Sequence, residues 1–207
     1  MKRAALKLLG RRTSNNVQKV LWLLEELGVP FEHEDHGGPF GKTRTAQYLA
    51  LNPNGTVPTL VDGSFVLWES NAILRYVAAT RHASFLPDDA GERALADQWM
   101  DWQLGTLSPA FRPLYIGLVR DRRDPASLED VLGESRRLFR ILDAQLGAAP
   151  CVAGPRLSLA DFALGPMVHR WMTLRLDGSD QANLRRYYEM LLARPAFARQ
   201  VASVPLA

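Results

Sequence analysis

The chain has 207 residues, 47% of them hydrophobic, with 25 basic against 22 acidic side chains and a formal net charge of +3. That length gives room for one large or two small domains with an ample core. No apolar run reaches the ~18–20 residues of a membrane span. The basic residues are scattered among acids, without the block or aromatic-interleaved stripe that nucleic acid requires, so neither a membrane nor a nucleic acid is expected as a partner.

The opening MKRAALKLLGRRTS carries basic residues and an apolar run broken by Lys7. It reads as a first strand, Ala4 to Leu9, rather than a signal peptide. Gly10 to Asn16 is a polar turn. Val17, Val20, Leu21, Leu24 and Leu27 then recur at helical spacing, and Gly28 and Pro30 end that helix. Phe31 to His36 alternates as a second strand, completing a βαβ unit that should cross over right-handed. Residues 37–45 form a Gly-rich loop, and Ala46 to Ala50 a short helical piece.

Asn52-Pro53-Asn54-Gly55 is dense turn chemistry. Pro58 to Val61 is a short strand. Asp62-Gly63 signals a tight hairpin, because glycine accepts the positive φ such a turn needs. Phe65 to Trp68 returns as its partner. Glu69-Ser70-Asn71 then meets a helical run with Ala72, Ile73, Tyr76 and Val77. The order βαβαββα predicts an α/β thioredoxin-like domain over residues 1–81, with antiparallel strands closing a mixed sheet.

Residues 82–91, with Pro87 and Asp88-Asp89, form the expected linker. Strand signals then vanish, and residues 92–207 read as an all-α helical domain. A helix over Arg93 to Val119 should be bent or interrupted by Pro109 and Pro113. Asp121 to Ala126 is a charged loop, and Leu128 to Leu146 a second helix. Ser158-Leu159-Ala160-Asp161 is a capping box at a further helix start, structural in role. Asn183 to Ala193 and Pro195 to Val201 give two closing helices.

The 57–71 stretch invites a ligand. Pro58 lacks the N–H that would continue the ladder. Glu69 and Ser70 bring a carboxylate, a hydroxyl and unpaired backbone N–H groups to one helix start. Such a corner can hold the ammonium and the carboxylate of an amino acid together; the alternative is an N-cap beside an edge proline. His33, His36, His82 and His169 lack metal-ligand company, so no metal is expected, and no GxSxG, GxGxxG or P-loop occurs. Cys151 is the single cysteine. It excludes an internal disulfide, fits a reducing, cytoplasmic setting, and is expected to be a structural thiol.

The frame NPNGTVPTL…LWESNAILRY resembles the cytosolic glutathione transferase family. GRRTSNNVQKVLWLLEEL is similar to its bacterial, theta-like, serine-type group. The resemblance covers nearly the whole chain. It implies a transferase with glutathione as co-substrate, acting on a small hydrophobic electrophile by conjugation, dehalogenation or peroxide reduction. It further implies a detoxifying homodimer. A non-catalytic glutathione-fold binding or scaffolding module is the alternative.

By the resemblance, the Val57-Pro58 peptide is cis. Val57, with Thr56 alongside, presents main-chain groups to the cysteine of glutathione, while Glu69 and Ser70 bind its γ-glutamyl end. Ser14 falls where the thiol-activating hydroxyl sits in this group, and Asn16 where some members use an amide; Thr13 remains open, as does a plain helix cap. Arg12 would add positive field. Phe40 and Lys42 border the glycine end, with Arg44 a further candidate and Gln47 a helix cap. Trp102, Phe111, Tyr115 and Trp171 are expected to line an electrophile pocket between the domains, although aromatic residues at helical spacing are usually core.

Overall fold

A computed structural model of the chain describes residues 6–81, 84–176 and 180–207. Ala4 and Ala5 of the expected first strand, and His82 and Ala83 of the expected linker, lie outside the described residues. The chain divides into two compact units, Met1–Ala83 with Pro195–Val204, and Ser84–Arg194 with Pro205–Ala207. The last short helical segment thus packs with the first unit, not with the helical remainder to which its position in sequence assigned it.

The first unit runs β1 (Leu6–Leu9), α1 (Asn15–Glu26), β2 (Phe31–Glu34), α2 (Ala46–Leu51), β3 (Thr59–Asp62), β4 (Phe65–Trp68) and α3 (Ser70–Thr80). The strands form one sheet in the order β2-β1-β3-β4. β1 pairs parallel to β2, with Leu6 opposite Phe31, and antiparallel to β3, with Leu9 opposite Thr59. This is the thioredoxin-like mixed sheet that the element order predicted. Two strands run parallel because a helix joins them, and two antiparallel because a hairpin does. Gly63 supplies the positive φ of that hairpin, at 62°.

α1 is the core of this unit. Every residue from Val17 to Leu24 is buried, which is more than the single apolar stripe of its sequence provides. One reason is the chain's end: Phe197 packs edge-to-face on Trp22, with ring centroids 4.9 Å apart. Its short helix α9 (Pro195–Phe197) therefore covers a face that an open α/β unit would leave to solvent.

The second unit is helical. It comprises α4 (Ala90–Trp102), α5 (Ser108–Tyr115), α6 (Glu129–Ala148), α7 (Leu159–Thr173) and α8 (Ala182–Leu192). Asp89 caps α4 by accepting from the Glu92 N–H at 2.9 Å. Pro109 and Pro113 do not end the rod. Helical turns persist to Arg120, with π-turns at Gln103–Leu107 and Ile116–Arg120. Trp171 stacks on Phe139 at 4.2 Å, and Phe111 meets both edge-on, 5.9 Å from Trp171 and 5.5 Å from Phe139.

The capping box forms at the start of α7, and it is larger than its motif. Asp161 is fully buried. One carboxylate oxygen accepts from the Ser158 N–H (2.8 Å) and hydroxyl (3.1 Å). The other accepts from the Val152 N–H (3.0 Å) and the Tyr187 hydroxyl (2.9 Å). One side chain thus joins the preceding loop, α7 and α8. Burial pushes its pKa up, against the pull of these donors.

Candidate functional site

The site is built where β1 ends. Gly10 is the hinge between three segments. A Cβ at Gly10 would lie 2.5 Å from Val17 Cγ2, 3.1 Å from Val57 Cβ and 3.6 Å from Pro58 Cα. Only the missing side chain lets the start of α1 and the turn before β3 approach this closely. The loop carrying Ser14 and the Val57-Pro58 turn are therefore neighbours.

Ser14 is the N-cap residue of α1, yet its side chain makes no cap hydrogen bond. Its main chain is fully used: the N–H donates to Arg11 O (3.0 Å), and the carbonyl accepts from Val17 N–H (3.0 Å) and Gln18 N–H (2.9 Å). The hydroxyl thus takes no part in a hydrogen bond among the described residues. A serine normally occupies this position because its oxygen caps the helix. Here the cap position is held without that bond, at the positive end of the helix dipole.

The Val57–Pro58 peptide is cis. Beyond the last ladder pair, Leu9 with Thr59, the Val57 N–H and carbonyl enter no hydrogen bond among the described residues. The preceding carbonyl is, by contrast, held firmly. Thr56 O accepts from the Tyr48 hydroxyl (2.6 Å) and from Asn52 Nδ2 (2.9 Å). Both groups also reach Thr59 Oγ1, at 2.9 and 3.1 Å. Tyr48 and Asn52 are buried, so a polar brace fixes the turn from beneath while Val57 keeps strand-like main-chain groups open.

The third part is the corner between β4 and α3. Glu69 adopts φ 71°, ψ 112°, a left-handed conformation that a side chain with a Cβ rarely takes. Such strain is of order 1–3 kcal/mol and is concentrated at functional positions. It directs an exposed carboxylate beside the buried Ser70, the first residue of α3. Lys19 Nζ of α1 reaches Ser70 Oγ from behind, at 3.3 Å.

The remaining sequence candidates are placed as follows. Arg12 Nη1 donates to Gln200 Oε1 (2.8 Å), on the C-terminal segment. Its neighbour Arg11 turns the other way, along Gly37 and Gly38. A Cβ at Gly37 would meet Arg11 Nη1 at 3.3 Å and Val57 Cγ1 at 3.4 Å, so it is Arg11 that approaches the turn. Lys42 pairs with Glu34 at 3.3 Å. Glu34 is held down to about 2, by a hydrogen bond from Lys7 first and by Lys42 and His36 after it. Phe40 lies exposed in a short turn, and Arg44 packs over Gly55. Thr56 is exposed, and Asn16 lies in the first turn of α1.

In the helical unit, Phe111 and Trp171 are interior members of the aromatic cluster. Tyr115 is buried too, its hydroxyl donating to Ala207 O at 3.1 Å under the Arg170 guanidinium. Trp102 is half-buried against Trp99, ring centroids 5.1 Å apart. Cys151 is buried and its thiol is pushed up to about 12, chiefly by desolvation and then by Asp161, which makes it inert as a nucleophile. Among the described residues no group of three or more His, Cys, Asp or Glu could hold a metal ion.

Sequence reasoning missed Tyr48, Asn52, Arg11 and Lys19. A lysine among the apolar residues Val17 and Val20 to Leu24 was the one available signal.

Known proteins match the chain along nearly its whole length. The family models for the N-terminal and C-terminal domains of glutathione S-transferase match residues 13–80 and 125–189. Glutathione S-transferase GstB of Escherichia coli (strain K12) is 41% identical over 207 aligned residues, covering 97% of this chain and 99% of that protein. Disulfide-bond oxidoreductase YfcG of the same organism is 30% identical, over 87% of each chain. Among solved structures, the theta class glutathione S-transferase from Xanthomonas axonopodis pv. citri with glutathione bound superposes with a TM-score of 0.93. It is 42% identical, over 98% of this chain and 99% of that one. No helix among the described residues is long and apolar enough to cross a membrane.

Proposed function

This chain belongs to the glutathione S-transferase family, and from that premise we propose how it handles glutathione and activates the thiol. It is a glutathione transferase with glutathione as co-substrate. The tripeptide lies along the 57–58 turn as an added strand, its cysteine main chain paired with the Val57 N–H and carbonyl. The γ-glutamyl carboxylate takes the Ser70 hydroxyl and the first N–H groups of α3, and the ammonium takes Glu69. This seats the sulfur beside the start of α1, within the field of its N-terminus.

There the Ser14 hydroxyl donates to the sulfur. A free thiol of pKa ~8.5 is mostly protonated at neutral pH. Lowering that value by ~2 units requires ~2.7 kcal/mol in favour of the anion, which a hydrogen bond to S⁻ and a helix N-terminus together supply. The thiol proton leaves to solvent. The thiolate then attacks an electrophilic carbon of a small hydrophobic molecule: a C–S bond forms, the carbon–leaving-group bond breaks, and the leaving group departs with the electron pair. The protein supplies no cysteine for a mixed disulfide, because Cys151 is buried and unionised. A homodimer completes the reading, as the family resemblance implies.

The observation that carries this reading is the pairing of an unengaged Val57 main chain with a cap serine whose hydroxyl caps nothing. The test is titration calorimetry with glutathione, followed by turnover of activated aryl halides and organic hydroperoxides. Binding without turnover of any electrophile, identical in wild type and Ser14→Ala, would instead support a non-catalytic binding module.

A further inference from the structure

Lys19 sits in mid-α1 with 0% of its surface exposed. Lysine is almost never fully buried unless it is paired, and desolvating its ammonium is costly. Its Nζ donates to two groups in the first turn of α3: Ser70 Oγ at 3.3 Å and Asn71 Oδ1 at 3.2 Å. Both of these residues are buried as well. A charged side chain has therefore been placed in the core of the first unit to reach one corner of it.

The chemistry of the contact sets a direction. An ammonium has three donors and no acceptor. Ser70 Oγ must therefore receive the Lys19 proton on a lone pair, and its own hydrogen must point elsewhere. Among the described residues the Ser70 hydroxyl donates to nothing. Lys19 thus occupies an acceptor position of the Ser70 oxygen and leaves the hydroxyl hydrogen available as a donor. Asn71 Oδ1 accepts from the same ammonium, which fixes the second residue of α3 relative to α1.

We propose that Lys19 is a positioning residue for carboxylate recognition: it orients the Ser70 hydroxyl toward the α-carboxylate of the γ-glutamyl group and places a positive charge one atom behind it. This rests on the glutathione reading of the site and adds to it the source of selectivity for that carboxylate. A residue acting through Ser70 alters recognition of one substrate group and leaves the sulfur chemistry alone.

The experiment compares glutathione with 4-aminobutanoyl-Cys-Gly, which lacks only the α-carboxyl group, in wild type, Lys19→Met and Lys19→Arg. Binding is read by calorimetry, turnover by steady-state kinetics, and folding by thermal melting. Wild type should prefer glutathione. Lys19→Met should raise KM for glutathione by about tenfold to hundredfold, the range for a hydrogen bond to a charged group. Its kcat at saturation should stay within about twofold of wild type, because removing a binding contact alone leaves kcat in place. The preference for glutathione over the analogue should shrink in proportion, and Lys19→Arg should restore part of it.

If folded Lys19→Met keeps the wild-type preference, or loses kcat with KM unaltered, the positioning role is wrong. Should Lys19→Met not fold, Lys19→Gln keeps an uncharged NH2 donor on a shorter side chain. It should lose part of the preference, and an unchanged preference there overturns the proposal equally. Failure of wild type itself to bind glutathione overturns both this role and the reading of the site beneath it.

Discussion

Replacing Ser14 with alanine separates a thiol-activating hydroxyl from an ordinary helix cap. An N-cap serine that bonds its helix costs about 0.5–2 kcal/mol of stability when changed to alanine. The Ser14 hydroxyl makes no such bond, so Ser14→Ala should move the urea midpoint by an amount equivalent to less than about 0.5 kcal/mol, as at an ordinary surface position. The kinetic effect should be large. A hydrogen bond to an ionised acceptor contributes about 1.5–3 kcal/mol, so its loss raises the pKa of the bound thiol by about 1–2 units. Below the wild-type pKa of the bound thiol, kcat/KM should fall about tenfold to hundredfold. The assay is the pH profile of kcat/KM with an activated aryl halide, beside the ultraviolet absorbance of the thiolate in the binary complex. The deficit should close as pH rises through the new inflection. Three results would refute the reasoning: a lower urea midpoint with an unmoved profile, a deficit equal at every pH, or the whole shift appearing in Asn16→Ala instead.

Asp161→Ala should destabilise by at least about 3 kcal/mol in a urea titration, more than an ordinary cap, because four buried donors lose their acceptor at once. A loss within the range of a simple cap would show that the link to Val152 and Tyr187 adds nothing. Gly10→Ala should weaken both stability and glutathione binding, since its Cβ would lie 2.5 Å from Val17 Cγ2; Val17→Ala in the same chain should recover part of the stability, and no recovery would place the strain elsewhere. His169, buried and hydrogen-bonded to Tyr188 at 2.8 Å, has its pKa lowered to about 4 by desolvation first and by Arg170 second. The unfolded chain therefore binds this proton earlier, from about pH 6.5 downward. Stability should fall as pH drops from about 6.5 to about 4, by about 3 kcal/mol from this group. His169→Gln should flatten that slope in urea midpoints measured at successive pH values, and an unchanged slope would clear His169 of the effect.

Much of the fold was legible because its signals are local. The stripe Val17, Val20, Leu21, Leu24, the hairpin glycine and the alternation of β2 each depend on a few neighbouring residues. What escaped depends on distant partners. Nothing near Pro195 says that Phe197 will pack on Trp22, because that contact joins opposite ends of the chain. In sequence, Pro109 and Pro113 point to a bent or limited helix, since proline lacks an N–H, yet helical turns continue to Arg120. The same limit governs the site. Val57-Pro58 and Glu69-Ser70 are adjacent pairs and could be read as units. Arg11 and Arg12 are chemically identical, and only the fold sends one toward Gly37 and the other toward Gln200. Tyr48 falls in a short helical piece and Asn52 in a turn, and neither position reveals the brace on Thr56 O.

The candidate site is also where local preference and observed structure part company. Glu69 holds a positive φ that its residue type resists, Ser14 occupies a cap position without capping, and Lys19 carries a charge into the buried stretch of α1. A chain optimised for stability alone would have glycine at 69, a bonded cap at 14 and a methionine or leucine at 19. These departures converge on one unit, between the end of β1 and the start of α3. Local conflicts of this kind are expected where function constrains the chain. The polar brace from Tyr48 and Asn52 shows how the conflict is contained. It fixes Thr56, one residue away, so that Val57 can keep its hydrogen-bonding groups open without the turn collapsing onto the sheet. Under the proposed reading, rigidity beside the contact point, rather than at it, leaves the main chain ready for a peptide with little left to order on binding.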